Sequence, residues 1–300
     1  MTAPARFDPR LMAQLESLSL VARRVRAGQF QGERRSTKRG ASVEFADYRN
    51  YTRGDDLRRV DWNIYARLER PYVKLFEEEE DLAVHILVDG SASMDWGGEG
   101  QAEASTNKWR YTRQLAAALG TVALSGGDHL TLVALPQPHP VLGPTRGRGH
   151  ILRLFDRLAD LEAGGVTDLN RSLRAYALSG GRAGLVVLIS DLFSPAGYVK
   201  GLTALAARGH EVVLLHVLSP DEVDPPLGGD LRLIDVETGD PQEVTIDGGM
   251  RTLYRRRLAA WREEIRAACR GRDVHYLPVE TDTPFERVVL TDLRRAGVLR

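Results

Sequence analysis

Residues 83–93 read Ala83-Val84-His85-Ile86-Leu87-Val88-Asp89-Gly90-Ser91-Ala92-Ser93. The first six form a short, nearly continuous apolar run, the pattern of a strand buried on both faces of a parallel sheet. The last five change abruptly to Asp, Gly and Ser. The strand therefore feeds a tight loop with oxygen side chains at alternate positions, Asp89, Ser91 and Ser93. Such oxygens are the donors that a hard cation such as Mg²⁺ takes. Asp and Ser after a strand are also ordinary turn formers and helix N-caps, so the loop alone supports both readings.

Similar apolar runs recur at residues 129–135, 185–189, 210–217 and 274–279. Between them, Ile151, Leu154, Phe155 and Leu158 fall at helical spacing, as do Leu169, Leu173 and Tyr176, and Tyr254, Leu258, Trp261, Ile265 and Ala268. Gly126, Gly180 and Gly271 stand where helix C-caps are expected. Strands alternating with crossover helices define an α/β class with a parallel sheet. Residues 231–246, with Thr238-Gly239-Asp240-Pro241 at their middle, read as a hairpin or loop excursion. The first 80 residues differ. Leu15, Leu18 and Val21 predict a helix within 11–25, and residues 28–70 read as an irregular, β-containing accessory segment. The predicted division is therefore 1–80 and 81–300.

Two more oxygens fall at telling places. Thr167, in Gly164-Gly165-Val166-Thr167-Asp168-Leu169, opens the helix that carries Leu169 and Leu173, and Asp191 directly follows the run ending at Ser190. In an open parallel sheet, ligands bind outside the carboxyl ends of strands where the strand order reverses. The bland alternatives are an N-cap for Thr167 and a turn former for Asp191.

In this order and between these strands, Asp89-x-Ser91-x-Ser93, Thr167 and Asp191 resemble the metal-ion-dependent adhesion site of the von Willebrand factor A domain. The resemblance covers residues 81–300 and implies a doubly wound, mostly parallel six-stranded sheet. Ser91, Ser93 and Thr167 would offer hydroxyls, with Asp89 and Asp191 acting directly or through water. One coordination position would stay open for an Asp or Glu of a protein partner. Mg²⁺ suits such a role, and Mn²⁺ or Ca²⁺ accept the same donors.

The N-terminal segment narrows the family. Glu44-Phe45, Arg49-x-Tyr51, Gly54-Asp55-Asp56-x-Arg58-x-x-Asp61-Trp62-x-x-x-Ala66-Arg67 and Val73-Lys74-x-Phe76-Glu77-Glu78-Glu79 resemble the domain of unknown function 58 family. That resemblance implies a partner or substrate adaptor of a MoxR-type AAA+ ATPase. Within it, Asp55, Asp56, Arg58, Asp61, Trp62 and Arg67 form either an internal ion-pair network or a docking surface for the ATPase. Residues 77–80 read as a solvated acidic edge, and the basic stretch 23–39 as a loop or partner surface rather than a phosphate contact.

Composition excludes several classes. The chain has 300 residues with Lys+Arg and Asp+Glu both 41, so its global charge does not favour a polyanion. Charged residues at 27% and hydrophobic ones at 43% match an ordinary globular protein. The single Cys269 excludes an internal disulfide and a cysteine-based zinc cluster, and is expected to be a buried small hydrophobe. No signal-peptide pattern stands in residues 1–26 and no apolar run reaches membrane-span length, so the expected compartment is the cytoplasm. Seven histidines show no paired metal-binding spacing, and His85 and His216 are expected in the core.

The expected function is a metal-dependent protein-interaction module without enzymatic activity, in which loss of Asp89 or Asp191 spares the fold and removes metal and partner binding. The alternative is a metal-dependent hydrolase or phosphatase using Asp89. That reading suffers because Ser91 stands where the common phosphatase motif has a second Asp, and because no G-x-S-x-G elbow surrounds Ser91.

Overall fold

The computed structural model describes residues 7–22, 43–52, 57, 60–78, 81–97, 106–137, 139–226, 228–234 and 239–300. The chain divides into two compact units, one of Met1–Gln31 with Leu82–Arg300 and one of Gly32–Asp81.

The larger unit is built on a six-stranded sheet. Its strands are β3 (Ala83–Asp89), β4 (His129–Leu135), β5 (Pro140–Arg146), β6 (Leu185–Ser190), β7 (Glu211–Leu218) and β10 (His275–Glu280), in the order β10-β7-β6-β3-β4-β5. All neighbours pair in parallel except β4 and β5. The chain runs from β3 outward to β4 and β5, then returns to the other side of β3 as β6. The strand order therefore reverses between β3 and β6.

Alternation along each central strand feeds two cores, as a pleat of period two requires. Val84, Ile86 and Val88 of β3, with Leu185, Val187 and Ile189 of β6, enter the first core. That core also holds α1 (Pro9–Glu16), α3 (Lys108–Ser125), α4 (Ile151–Ala159) and the segment around Phe285 to Leu299. Leu87 of β3, with Val186 and Leu188 of β6, enters the second core. There they meet α5 (Leu169–Leu178), α6 (Val199–Ala207) and α8 (Gly248–Arg270). Each fully buried aliphatic side chain contributes roughly 1.5–3 kcal/mol. The approach of β3 to β6 leaves no room at Gly184, where a Cβ would stand 2.0 Å from the Ala83 carbonyl oxygen.

Between β7 and α8 come α7 (Pro220–Val223) and the antiparallel hairpin of β8 (Gly229–Ile234) and β9 (Pro241–Ile246), as the sequence predicts. The smaller unit holds β1 (Val43–Asn50) and β2 (Tyr72–Glu78), an antiparallel pair forming its own sheet, and α2 (Trp62–Leu68).

Three expectations change. The N-terminal helix ends at Glu16, because the following backbone pairs with the C-terminus: Ser19 N–H donates to the Arg300 carbonyl and Val21 N–H to that of Val298. That helix buries Leu11 and Leu15 in the core of the larger unit, although the sequence division groups it with the accessory segment. Strand β5 was not expected. It contains Pro140 and Pro144 and is largely exposed, which suits an edge strand and conceals an alternating pattern.

Candidate functional site

The carboxyl ends of β3 and β6 deliver Asp89 and Asp191 side by side at the reversal of strand order. Asp89, Ser91, Thr167 and Asp191 are all 2% exposed or less, and Ser93 is 8% exposed. All five sequence-predicted ligands thus lie buried at or just beyond the carboxyl ends of the central strands.

Backbone hydrogen bonds tie those loops together. Gly164 N–H donates to the Gly90 carbonyl at 2.8 Å, and Ala92 N–H to the Gly165 carbonyl at 2.9 Å. Gly90 is needed because a Cβ there would stand 2.8 Å from the Leu135 carbonyl oxygen. Ser194 Oγ donates to the Thr167 carbonyl at 3.1 Å, joining the loop after β6 to the same assembly. Across the two strands, Ser190 Oγ donates to Asp89 Oδ2 at 2.6 Å.

The bland alternatives are met unevenly. Asp89 and Asp191 do form turns, accepting at Oδ1 from the N–H groups of Ser91 (3.1 Å) and Phe193 (3.0 Å). Thr167 is not the N-cap of α5. Asp168 caps that helix, accepting from Arg171 N–H. Thr167 Oγ1 is buried without any hydrogen-bond partner, a state that costs about 1–3 kcal/mol. Ser91 Oγ and Ser93 Oγ stand 3.0 Å apart in a hydrogen bond, and Ser91 makes no side-chain cap to the short helical turn that follows it.

The turn after Asp191 is strained. Leu192, buried, has φ of 61°, a left-handed conformation that is costly for a bulky side chain. Leu192 N–H donates to Ser190 Oγ and Ser194 N–H to the Leu192 carbonyl, and these bonds hold the turn in place.

Charge at the site comes from groups the sequence reading passed over. Lys108, the first residue of α3, is fully buried. Its Nζ donates to Asp191 Oδ2 and to Glu222 Oε1, each at 2.6 Å. The ammonium also lies 5.1 Å from the centroid of the Phe193 ring. Glu222 is held by the capping box of α7, accepting from Ser219 N–H at 2.8 Å. Burial, and next the nearby Asp191, pushes the Asp89 carboxyl above the usual carboxylate range, opposed by hydrogen bonds from Ser190 and Ser91. Burial likewise raises Glu222 against the pull of Lys108.

Behind Asp191, His216 Nε2 lies 3.1 Å from the Asp191 carbonyl, which can only accept, so this nitrogen carries the proton. Nδ1 then accepts from the Tyr276 hydroxyl at 2.9 Å. Burial foremost, then Arg262, lowers His216 to about 4, and the neutral ring serves as packing and support. Phe193 stacks on Trp261, whose ring meets His216 edge-on.

An oxygen-coordinated cation fits this donor set. The buried, unpartnered Thr167 hydroxyl is the clearest sign, and the Ser91 and Ser93 hydroxyls with the hydrogen-bonded carboxyl of Asp89 supply hard oxygens. The set is rich in hydroxyls. Among the described residues no group of three or more His, Cys, Asp or Glu side chains is placed to hold a metal ion.

Of the accessory residues, Asp55, Asp56 and Arg58 lie outside the described residues, as do the basic stretch 23–39 and the side chains of residues 77–80. Asp61 is buried as the N-cap of α2, accepting from the N–H groups of Asn63 and Ile64 and from the Tyr48 hydroxyl. Trp62 is 59% exposed, and Arg67 stands in the last turn of the helix. Cys269, His85 and His216 are buried, as expected. Among the described residues no helix is long and apolar enough to cross a membrane.

These features define an α/β protein with a mostly parallel central sheet and a buried, oxygen-lined site at its strand-order reversal. The family model described as "Protein of unknown function DUF58" matches residues 47–264, and the chain belongs to that family. An uncharacterized protein of Mycobacterium tuberculosis, Rv1480, is 32% identical over 298 residues, covering 97% of this chain and 92% of the relative. An uncharacterized protein of Mycobacterium avium, MAV169, is 35% identical over 134 residues, covering 44% of this chain and 79% of the relative. Among solved structures, the conserved hypothetical protein BatB from Bacteroides thetaiotaomicron aligns over 72% of this chain and 98% of its own. Its TM-score is 0.43 and its identity 15%.

Proposed function

We propose that the larger unit is a von Willebrand factor A-like, metal-dependent protein-interaction module. A divalent cation, Mg²⁺ or its substitutes Mn²⁺ and Ca²⁺, would be held by Asp89, Ser91, Ser93, Thr167 and Asp191. It would supply a Lewis-acidic position for the carboxylate of an Asp or Glu on a protein partner. The observation that carries this reading is the buried Thr167 hydroxyl left without a partner, in a loop that backbone hydrogen bonds tie to the one following the raised carboxyl of Asp89. An oxygen-seeking cation would satisfy both groups. The family resemblance suggests a MoxR-type AAA+ ATPase as partner, and the cytoplasm is the compartment expected from the sequence. Of the sequence-predicted docking residues, Trp62 and Arg67 of α2 are described and exposed, and such an ATPase could read them.

The test is binding of the purified chain to its cognate MoxR-type ATPase by calorimetry, in Mg²⁺ and in EDTA, with Asp89→Asn beside the wild type. Binding lost in EDTA and in the variant, with the chain still folded in both, is the expected result. Equal binding in all three samples would sink the coordination mechanism. Hydrolysis of generic phosphate esters that disappears with Asp89→Asn would replace it with an enzyme.

A further inference from the structure

Lys108 is an unusual residue to find at this position. Its ammonium is fully buried, and it occupies the first position of α3, where the helix dipole disfavours a cation. It is held there by two carboxylates at equal distance. One, Asp191, belongs to the oxygen-lined site, and the other, Glu222, is anchored in the α7 capping box outside it. Asp191 spends Oδ1 on the Phe193 N–H and Oδ2 on Lys108, so a divalent cation coming to this carboxylate meets an ammonium already seated there.

Resting on the metal reading above, we propose that Lys108 sets the affinity of the site, its ammonium acting as an internal competitor that a divalent cation displaces from Asp191 onto Glu222. Two properties of the geometry support this. Glu222, half-buried, already holds the ammonium as its second carboxylate, so displacement does not strand a charge. Phe193, whose ring faces the ammonium, lies two residues from Asp191 in the strained Leu192 turn, so movement of Lys108 is coupled to the loop that a partner would meet. The site would then load with metal at high divalent concentration or when a partner carboxylate adds its own charge, and otherwise remain closed by its own lysine.

The test is Mn²⁺ binding, read from the electron paramagnetic resonance signal of free Mn²⁺, for the wild type, Lys108→Met, Glu222→Gln and the double variant. Lys108→Met is expected to bind Mn²⁺ at least tenfold more tightly. Its melting temperature should fall in EDTA and recover with Mn²⁺ by more than the wild type gains. Glu222→Gln keeps the capping-box acceptor but removes the refuge for the ammonium. It is expected to weaken Mn²⁺ several-fold in the wild type and to have little effect when Lys108 is already Met, a non-additivity that long-range charge alone does not produce. If Lys108→Met binds Mn²⁺ no better than the wild type, while Asp89→Asn abolishes binding, the competitor role is overturned and the metal site stands. If folded wild type and Lys108→Met both leave Mn²⁺ free, the metal reading falls and the inference with it. If Lys108→Met does not fold, Glu222→Gln decides: weaker Mn²⁺ supports the competition, and unchanged or tighter Mn²⁺ overturns it.

Discussion

The two ends of the central strand pair β3 and β6 are built on opposite electrostatic plans. At the amino end, His85 Nε2 donates to the Arg182 carbonyl at 3.1 Å, and Nδ1 accepts from the Tyr176 hydroxyl at 2.8 Å. His210 packs edge-on against it while its Nδ1 accepts from Gly184 N–H. Every named polar atom there is paired and both rings are held neutral, His85 with its pKa lowered to about 4. The carboxyl end instead concentrates the buried Asp89, Asp191 and Lys108 with the half-buried Glu222, and leaves the Thr167 hydroxyl unpartnered. The same two strands therefore separate a closed network that fastens the sheet from a charged, incompletely satisfied one suited to receiving a ligand.

The largest expected effect distinguishes the two carboxylates of the charged end. Asp191→Asn removes one of the two carboxylates that hold the Lys108 ammonium and leaves Glu222 as its partner, so it should cost about 3 kcal/mol, the upper end for a hydrogen bond to a charged group, in urea unfolding with EDTA present. Asp89→Asn loses hydrogen bonds but no ion pair, and should cost only about 1 kcal/mol. The sequence suggests that losing either residue spares the fold. Lys108 changes that expectation for Asp191 and leaves it for Asp89. Equal losses in the two variants would break the assignment of Lys108 to Asp191 as the organising charge pair.

The next effect belongs to the neutral end and follows from protonation. His85 titrates near 6.5 when unfolded and at about 4 when folded, so between these values the unfolded chain binds the extra proton. Stability contributed by the neutral ring is full above pH 7, falls as pH drops through 6.5 and is gone near pH 4, at up to about 3 kcal/mol. His85→Gln, which keeps one donor and one acceptor, should lose much less stability than the wild type between pH 7 and pH 4.5. His210 and His216, also lowered, account for what slope remains. Parallel pH profiles for the two proteins would mean that the amino end is not held neutral by His85, and the contrast between the ends would blur.

How far each end was legible in the sequence follows from the range of its interactions. Residues 83–89 announce strand and loop together because apolar run and oxygen cluster are contiguous, and Thr167 and Asp191 are found by their places at element boundaries. The apolar runs at 129–135, 185–189, 210–217 and 274–279 all became strands within a residue or so of their predicted limits. Helix α3 was marked only by its C-cap Gly126, since it is buried on nearly all sides and Leu115 to Leu119 show no polar face. Lys108 was not legible at all. Asn107-Lys108-Trp109-Arg110 looks like a solvated helix start, and the partners that bury the lysine lie 83 and 114 residues away. Charge pairing across such separations leaves no local pattern, whereas periodicity and strand-end chemistry do.

The smallest effect is the most direct probe of incomplete satisfaction at the charged end. Thr167→Val keeps the branched shape and deletes a buried hydroxyl at this end that has no partner. Removing an unpaired buried hydroxyl relieves its desolvation penalty, so in EDTA the variant should be more stable than the wild type by about 1 kcal/mol. With Mn²⁺ added the order should reverse, because the wild type gains binding free energy that the variant, lacking a donor oxygen, gains less of. A variant less stable than the wild type in EDTA would show that the hydroxyl has a partner after all. The carboxyl end would then be as fully satisfied as the amino end, and the argument for a cation at that edge would lose its strongest support.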